Sequence, residues 1–163
     1  MQVGIFADSH DHLDNIRLAV QHFNETECDV VLFAGDLVST IAVPPLRSLH
    51  CPIVGCFGDN EGNKVGLLAG LNMIRANFQD PPIKYQAEDG TKFVIAHMES
   101  ELRHVDHDFQ VAVYGHTHKA RIKQDELGRL FINPGETSGW SFGRPTIALL
   151  NTDDFDAKIV ELS

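Results

Sequence analysis

Seven side chains in this sequence are of the types that hold divalent cations: Asp8, His10, Asp36, Asp59, His97, His116 and His118. Asp8-Ser9-His10 and His116-Thr117-His118 each set two donors two residues apart, close enough for both to reach one ion. Gly115 lets the backbone turn tightly before the second pair, and Asp36 follows a glycine, where close backbone approach is cheap. Carboxylate and imidazole donors without thiolate suit Mn, Fe, Zn, Ni or Mg and not a structural zinc site. Seven donors exceed what one ion with an open position can use, but they suit two ions that share a carboxylate. The expected assignment is Asp8, His10, Asp36 and His118 on one ion, and Asp36, Asp59, His97 and His116 on the other. Two metals about 3.5–4 Å apart bind a bridging hydroxide, lower its pKa and clamp a phosphoryl oxygen. Each residue alone has a plainer reading. Asp8 or Asp36 could be a helix N-cap, Asp59 a turn residue, His10 a surface residue and His97 a satisfied core histidine. His116-x-His118 alone is an even case for metal. All seven together, each after an apolar run, leave those plainer readings improbable.

The runs themselves are Val3–Ala7, Val30–Ala34, Ile53–Phe57, Phe93–Ala96 and Val111–Tyr114. Continuous apolar stretches of this length read as strands buried on both faces. In open α/β sheets functional groups gather beyond the carboxyl ends of the strands, so donors distant in sequence are expected to converge. Asp14 is the expected N-cap of a helix to about Asn24, with Ile16, Ala19, Val20 and Phe23 on one face. Short helices are expected around Pro44 to Leu49 and from Val65 to Met73. This β-α-β-α-β order calls for parallel strands with right-handed crossovers. The second half changes character. Ile83–Ala87 and Lys92–Ala96 flank Asp89-Gly90, a hairpin signal, and Ser100 is the expected cap of a short helix before Asp108. Residues 120–124 and 129–133 flank a turn ending in Gly128, and strands near 145–150 and 157–162 follow. That much strand exceeds one parallel sheet, so two packed sheets with helices outside are expected.

The 163 residues fit one domain, 1–163, with a substantial core. A formal net charge of -10 leaves no basic footprint for nucleic acid. Such a surface also repels a phosphate substrate unless bound cations invert the field locally. Cys28, Cys51 and Cys56 are odd in number and form no C-x-x-C pair, so they read as small hydrophobes and not as a disulfide framework. The sequence opens on a strand without the pattern of a signal peptide, and no run approaches membrane-spanning length. The expected setting is the cytoplasm, with no membrane partner.

Asp8-x-His10, Gly35-Asp36, Gly58-Asp59-Asn60-Glu61, Ala96-His97 and Gly115-His116-Thr117-His118 resemble the signature blocks of the calcineurin-like metallophosphoesterases. The small bacterial and archaeal phosphodiesterases of that superfamily, related to the retromer-associated scaffold subunit, are the most similar branch. The likeness extends to Ile132-Asn133-Pro134-Gly135 and covers almost the whole chain. It implies an α/β (α+β) four-layer sandwich of two mixed sheets flanked by helices. It also implies a dinuclear, most readily manganese-dependent hydrolase of phosphoesters, with Fe, Ni, Zn or Mg as alternatives. In that scheme Asp36, Asp59 and His97 belong to the catalytic core, a metal-bridging hydroxide attacks phosphorus in line, and diesters are favoured over monoesters. A scaffold that keeps the fold without chemistry, a phosphomonoesterase and a mononuclear iron oxygenase are the competing readings. Small members often form dimers or tetramers.

Several positions depart from the family pattern. The family usually shows Gly-Asn, a variable residue and Asp, whereas this chain reads Gly58-Asp59-Asn60-Glu61, so either Asp59 or Asn60 is the ligand. Larger relatives carry a histidine acid where this chain has Asn60, which leaves His12, Glu61 or bound water as substitutes. Glu61 is otherwise a first-turn helix carboxylate. Met98 replaces a second histidine, and Glu136 stands where small members usually have serine. His104, His107, Lys119 and Arg144 read as surface residues that could meet substrate, and Trp140 and Phe142 as core or a subunit contact.

Overall fold

The computed structural model describes residues 1–163. In the first sheet, β1 (Gln2–Phe6), β2 (Val30–Ala34) and β3 (Ile53–Cys56) are parallel neighbours. β4 (Asn77–Gln79) extends this sheet in parallel past β3. In the second sheet, β5 (Ile83–Gln86) pairs antiparallel with β6 (Lys92–Ile95), which runs parallel to β7 (Val111–Val113). β8 (Arg121–Gln124) is the antiparallel edge beside β9 (Leu130–Asn133), itself parallel to β7. β10 (Thr146–Asn151) and β11 (Asp156–Glu161) return to the first sheet, antiparallel on the far side of β1. The orders are β11-β10-β1-β2-β3-β4 and β5-β6-β7-β9-β8, two mixed sheets.

The period-2 alternation of a strand explains why the first runs are apolar throughout. Val3, Ile5, Val30, Leu32 and Ala34 face the second sheet and pack with Phe93, Ile95, Val111, Val113 and Ile132. Their neighbours Phe6, Val31 and Phe33 face outward, under the helices. α1 (Leu13–Glu25) buries Ile16, Ala19, Val20 and Phe23 on that face. Phe6 stands 5.7 Å from Phe23 and 4.5 Å from Phe33, ring centre to ring centre. Removing a side chain such as Phe23 from this face should cost about 3–5 kcal/mol. α2 (Val43–Leu46) and α3 (Lys64–Met73) complete the helical layer. The fourth layer is thin: the 3-10 segment Glu99–His104 lays Leu102 on Val94, Ala96, Phe109, Ala112 and Tyr114.

Local expectations fail where side chains compete for backbone. His12, not Asp14, caps α1: its Nδ1 accepts from the Asn15 amide at 3.3 Å, after His12 N has closed a turn onto Ser9 O at 2.8 Å. Asp14 sits exposed in the first turn, paired with Arg17 at 2.7 Å. Met98, not Ser100, precedes the 3-10 segment, where Glu101 accepts from the His97 and Met98 amides. Trp140 and Phe142 are not core; they are 65% and 53% exposed. β4 escaped the sequence because only Phe78 of its three residues is buried. Cys28 and Cys56 are buried free thiols, and Cys51 is partly so.

Candidate metal centre

The five strand ends meet at one rim. Asp8, Asp36 and Asp59 follow the parallel strands β1, β2 and β3, while His97 and His116 follow β6 and β7 of the facing sheet. The sheets are pinned together there: His97 Nδ1 donates to Ala34 O at 2.8 Å, and the His116 amide donates to Asp8 Oδ2 at 3.0 Å. Gly115 earns its place differently from the tight turn expected of it. A Cβ there would lie 2.8 Å from Asp8 Oδ2 and 2.9 Å from Ala34 O, so close sheet approach is what requires glycine. Gly58 is as constrained, since a Cβ would fall 2.1 Å from Asp36 Oδ1. Asp8, His10, Asp36, His116 and His118 all have positive φ, between 41° and 68°. For residues with a Cβ this left-handed region costs free energy and is held only where surrounding contacts enforce it, typically at functional sites.

The structure brings all seven expected residues together. Donor atoms of Asp8, His10 and His118 form one group and those of Asp59, His97 and His116 another, each within 4.8 Å of one another. Asp8, Asp36 and His97 form a third group that overlaps both. Within the first, His10 Nε2 and His118 Nε2 are 3.2 Å apart and Asp8 Oδ1 is 3.7 Å from His118 Nε2. Within the second, Asp59 Oδ1 is 2.7 Å from His97 Nε2 and 3.2 Å from His116 Nδ1. Asp36 Oδ2 lies 3.4 Å from His10 Nε2 and 3.4 Å from His97 Nε2. These are the separations expected of donors that each stand about 2.0–2.2 Å from a shared ion, so the residues present fit divalent metal. His97 fits further: with Nδ1 donating to Ala34 O, Nε2 is the nitrogen that faces the rim and would bind an ion once its proton is displaced.

Charge at the rim is strongly perturbed. Burial pushes the Asp8 carboxyl up from 3.8 to about 7, against the pull of His118 and His97. Burial also raises Asp36, but bonds from His97 and Asn60 outweigh it and hold the carboxyl well below the usual range. Burial lowers His97, yet Asp36 and the Ala34 carbonyl more than compensate and lift it to about 9. Burial leaves His10 lower than usual despite Asp36 nearby.

The neighbouring candidates sort by what they touch. Asn60 binds Asp36, its amide to Oδ1 at 2.9 Å and its side-chain nitrogen to Oδ2 at 2.8 Å, while Asp59 is the residue that joins the histidines. Glu61 is not in a helix, since α3 begins at Lys64 under an Asn63 cap. Its carboxylate instead collects the amides of Asp36, Leu37, Val38 and Gly58, tying together the loops after β2 and β3. His12 packs its ring on Trp140 at 4.6 Å. Arg144 pairs with Glu161 at 2.8 Å, and His107 with Arg129. Lys119 lies over the Phe142 ring at 5.4 Å, in a hollow of about 280 Å³ that adjoins His118. The sequence reading missed two positioning groups: Glu101, which holds the His97 amide at 2.9 Å, and Asn133, which donates to Gly115 O at 2.9 Å. Asn133 had a signal, its place in the Ile132-Asn133-Pro134-Gly135 segment; Glu101 had none.

The sequence model of the calcineurin-like phosphoesterase superfamily domain matches residues 1–155. A protein named as a phosphodiesterase, from Methanocaldococcus jannaschii, is 36% identical over 160 residues, covering 94% of each chain. A solved structure described as an archaeal phosphodiesterase superposes with a TM-score of 0.90 at 34% identity, over 99% of this chain and all of that one. The Escherichia coli phosphoesterase Yfce, with a TM-score of 0.71 at 17% identity over the full length of both chains, shares the fold. So does Vps29 from Entamoeba histolytica, with a TM-score of 0.67 at 19% identity, again over the full length of both.

Proposed function

Because this chain belongs to the calcineurin-like phosphoesterase superfamily, we propose that it is a phosphodiesterase working with two divalent cations, manganese foremost among those its donors suit. The observation that carries the reading is the single oxygen Asp36 Oδ2, 3.4 Å from Nε2 of His10 and 3.4 Å from Nε2 of His97. One carboxylate thus stands between two donor groups. Asp8, His10 and His118 would hold one ion and Asp59, His97 and His116 the other, with Asp36 shared. Bound there, such a pair supplies hydroxide from water at neutral pH and neutralises charge on the phosphoryl oxygens.

The protein's own residues do the rest. Asn60 clamps both oxygens of Asp36, so the shared carboxylate cannot rotate. The Ala34 carbonyl holds a proton on His97 Nδ1, so Nε2 is the nitrogen that would bind metal. Asp59 and His116, 43% and 42% exposed at the side chain, mark the open side from which a phosphoester approaches. Asn60 has no proton to give a leaving group, and the Glu61 carboxylate is spent on four amides. Esters with acidic leaving groups should therefore react fastest. Preference for diesters is supported by the Methanocaldococcus relative's name, and a single functional unit by the family match across residues 1–155.

The test is hydrolysis of bis(p-nitrophenyl) phosphate by protein stripped with chelator and reloaded with Mn2+. Turnover that needs the metal and exceeds that of p-nitrophenyl phosphate is expected. Full metal loading with no turnover of either ester would make the protein a binding module and not an enzyme.

A further inference from the structure

We propose that Glu136 is a positioning residue that sets the affinity of the Asp8–His10–His118 group for its cation, by fixing the His118 ring and by tying the Trp140 loop to the same group. The Glu136 side chain has no solvent exposure, and both its oxygens are fully engaged. Oε2 accepts from His118 Nδ1 at 2.8 Å, from the Ser141 amide at 2.9 Å and from Ser138 Oγ at 3.3 Å. Oε1 accepts from the Phe142 amide at 2.6 Å and the Ser141 amide at 3.1 Å.

The bond to His118 decides which ring nitrogen carries the proton. A carboxylate can only accept, so Nδ1 is the donor and Nε2 keeps its lone pair. That Nε2 is the atom facing His10 Nε2 at 3.2 Å and Asp8 Oδ1 at 3.7 Å. A carboxylate behind a ligating histidine also makes the imidazole a stronger donor, and removing such a partner commonly weakens metal binding about 10- to 100-fold.

The same carboxylate grips the loop that holds the other histidine. Trp140 Nε1 donates to His10 O at 3.3 Å, and its indole packs on His12 at 4.6 Å. His10 itself has a φ of 41°, a conformation that needs outside contacts to persist. Glu136 thus links the two histidines of one group through one buried side chain. A shorter residue such as serine could cap the loop amides or reach toward the ring, but it carries no charge and has one oxygen where Glu136 has two.

The inference rests on the reading that this group holds a cation, and the experiment separates the two. Mn2+ is titrated calorimetrically into the full chain, wild type against Glu136→Gln. The amide is isosteric but must turn its NH2 toward one of the two sets of donors. The expected result is at least tenfold weaker Mn2+ binding in the variant. Trp140, the only tryptophan, should change its emission along the wild-type binding curve. Binding within twofold of wild type, even with a lowered melting temperature, would make Glu136 a loop staple and overturn the inference. So would Trp140 emission that ignores Mn2+ while binding heat is released. Wild-type protein that binds no Mn2+ at all would overturn the proposed function and this inference together. Should the variant fail to fold, long-range 15N correlation spectra of the zinc-loaded wild type decide. The Nδ1–H tautomer of His118 is expected; the Nε2–H tautomer contradicts the inference.

Discussion

At the residue scale, a single carboxylate oxygen, Asp36 Oδ2, stands between two groups of donors, and the charge around it would set how strongly they hold a cation. Asp59 supplies a third carboxylate beside Asp8 and Asp36, where the resembling family usually has an amide. Against two divalent ions, the three carboxylates would leave roughly +1, one unit less than with asparagine. Asp59→Asn is therefore expected to weaken Mn2+ binding about tenfold, or about 1.4 kcal/mol, and to lower KM for a diester. Calorimetry and steady-state kinetics measure both, and no change in either would refute the charge argument. The donor types and their two-residue spacing were readable in the sequence because each follows an apolar run. The choice between Asp59 and Asn60 was not readable. Adjacent residues in a turn differ in side-chain direction, and only the backbone path settles which one meets His97. Glu136 was equally opaque, since its partner His118 is 18 residues away and comes near only when the loop after β9 folds back.

Strands and turns do the positioning at the element scale, and glycine controls how close they come. A methyl group at Gly58 would lie 2.1 Å from Asp36 Oδ1 and 2.5 Å from the Asp36 amide nitrogen. Gly58→Ala is expected to cost about 1–3 kcal/mol of stability and to remove most of the added stability that Mn2+ confers. Thermal melts with and without the metal read both effects, and a variant that melts lower but gains as much from Mn2+ as wild type would show that Asp36 had not moved. The parallel strands were legible because strands facing two layers lack any polar face. The starts of α1 and of the 3-10 segment at Glu99 were not, because His12 and Glu101 capture backbone amides that no spacing rule assigns to them. The exposed Trp140 departs from a core reading in the same way, with its indole nitrogen bonded to His10 O.

At the scale of the whole molecule, two sheets packed face to face are pinned at one rim by groups that also titrate. In metal-free protein the folded-state value of Asp8 is raised from 3.8 to about 7, and that of His97 from 6.5 to about 9. Folded protein then binds more protons than unfolded protein across this range, so stability falls as pH rises. Asp8 becomes costly as pH passes from about 4 to about 7. The contribution of His97 is complete below about 6.5 and lost as pH climbs through about 9. Asp36, held low, acts in the opposite sense and weakens the fold only in acid. Urea unfolding in chelator should accordingly show a midpoint that drops steadily from pH 5 to pH 9. Bound metal displaces those protons, so Mn2+ affinity should rise over the same interval. A midpoint that climbed toward pH 9 in chelator would contradict the assignment of these two groups.

The most direct measurement is an anomalous-difference map from crystals grown with saturating Mn2+. Two peaks about 3.5–4 Å apart are predicted, one among Asp8, His10 and His118, the other among Asp59, His97 and His116, with Asp36 between them. One peak alone, or a pair that Asp36 does not touch, would contradict the shared-carboxylate centre.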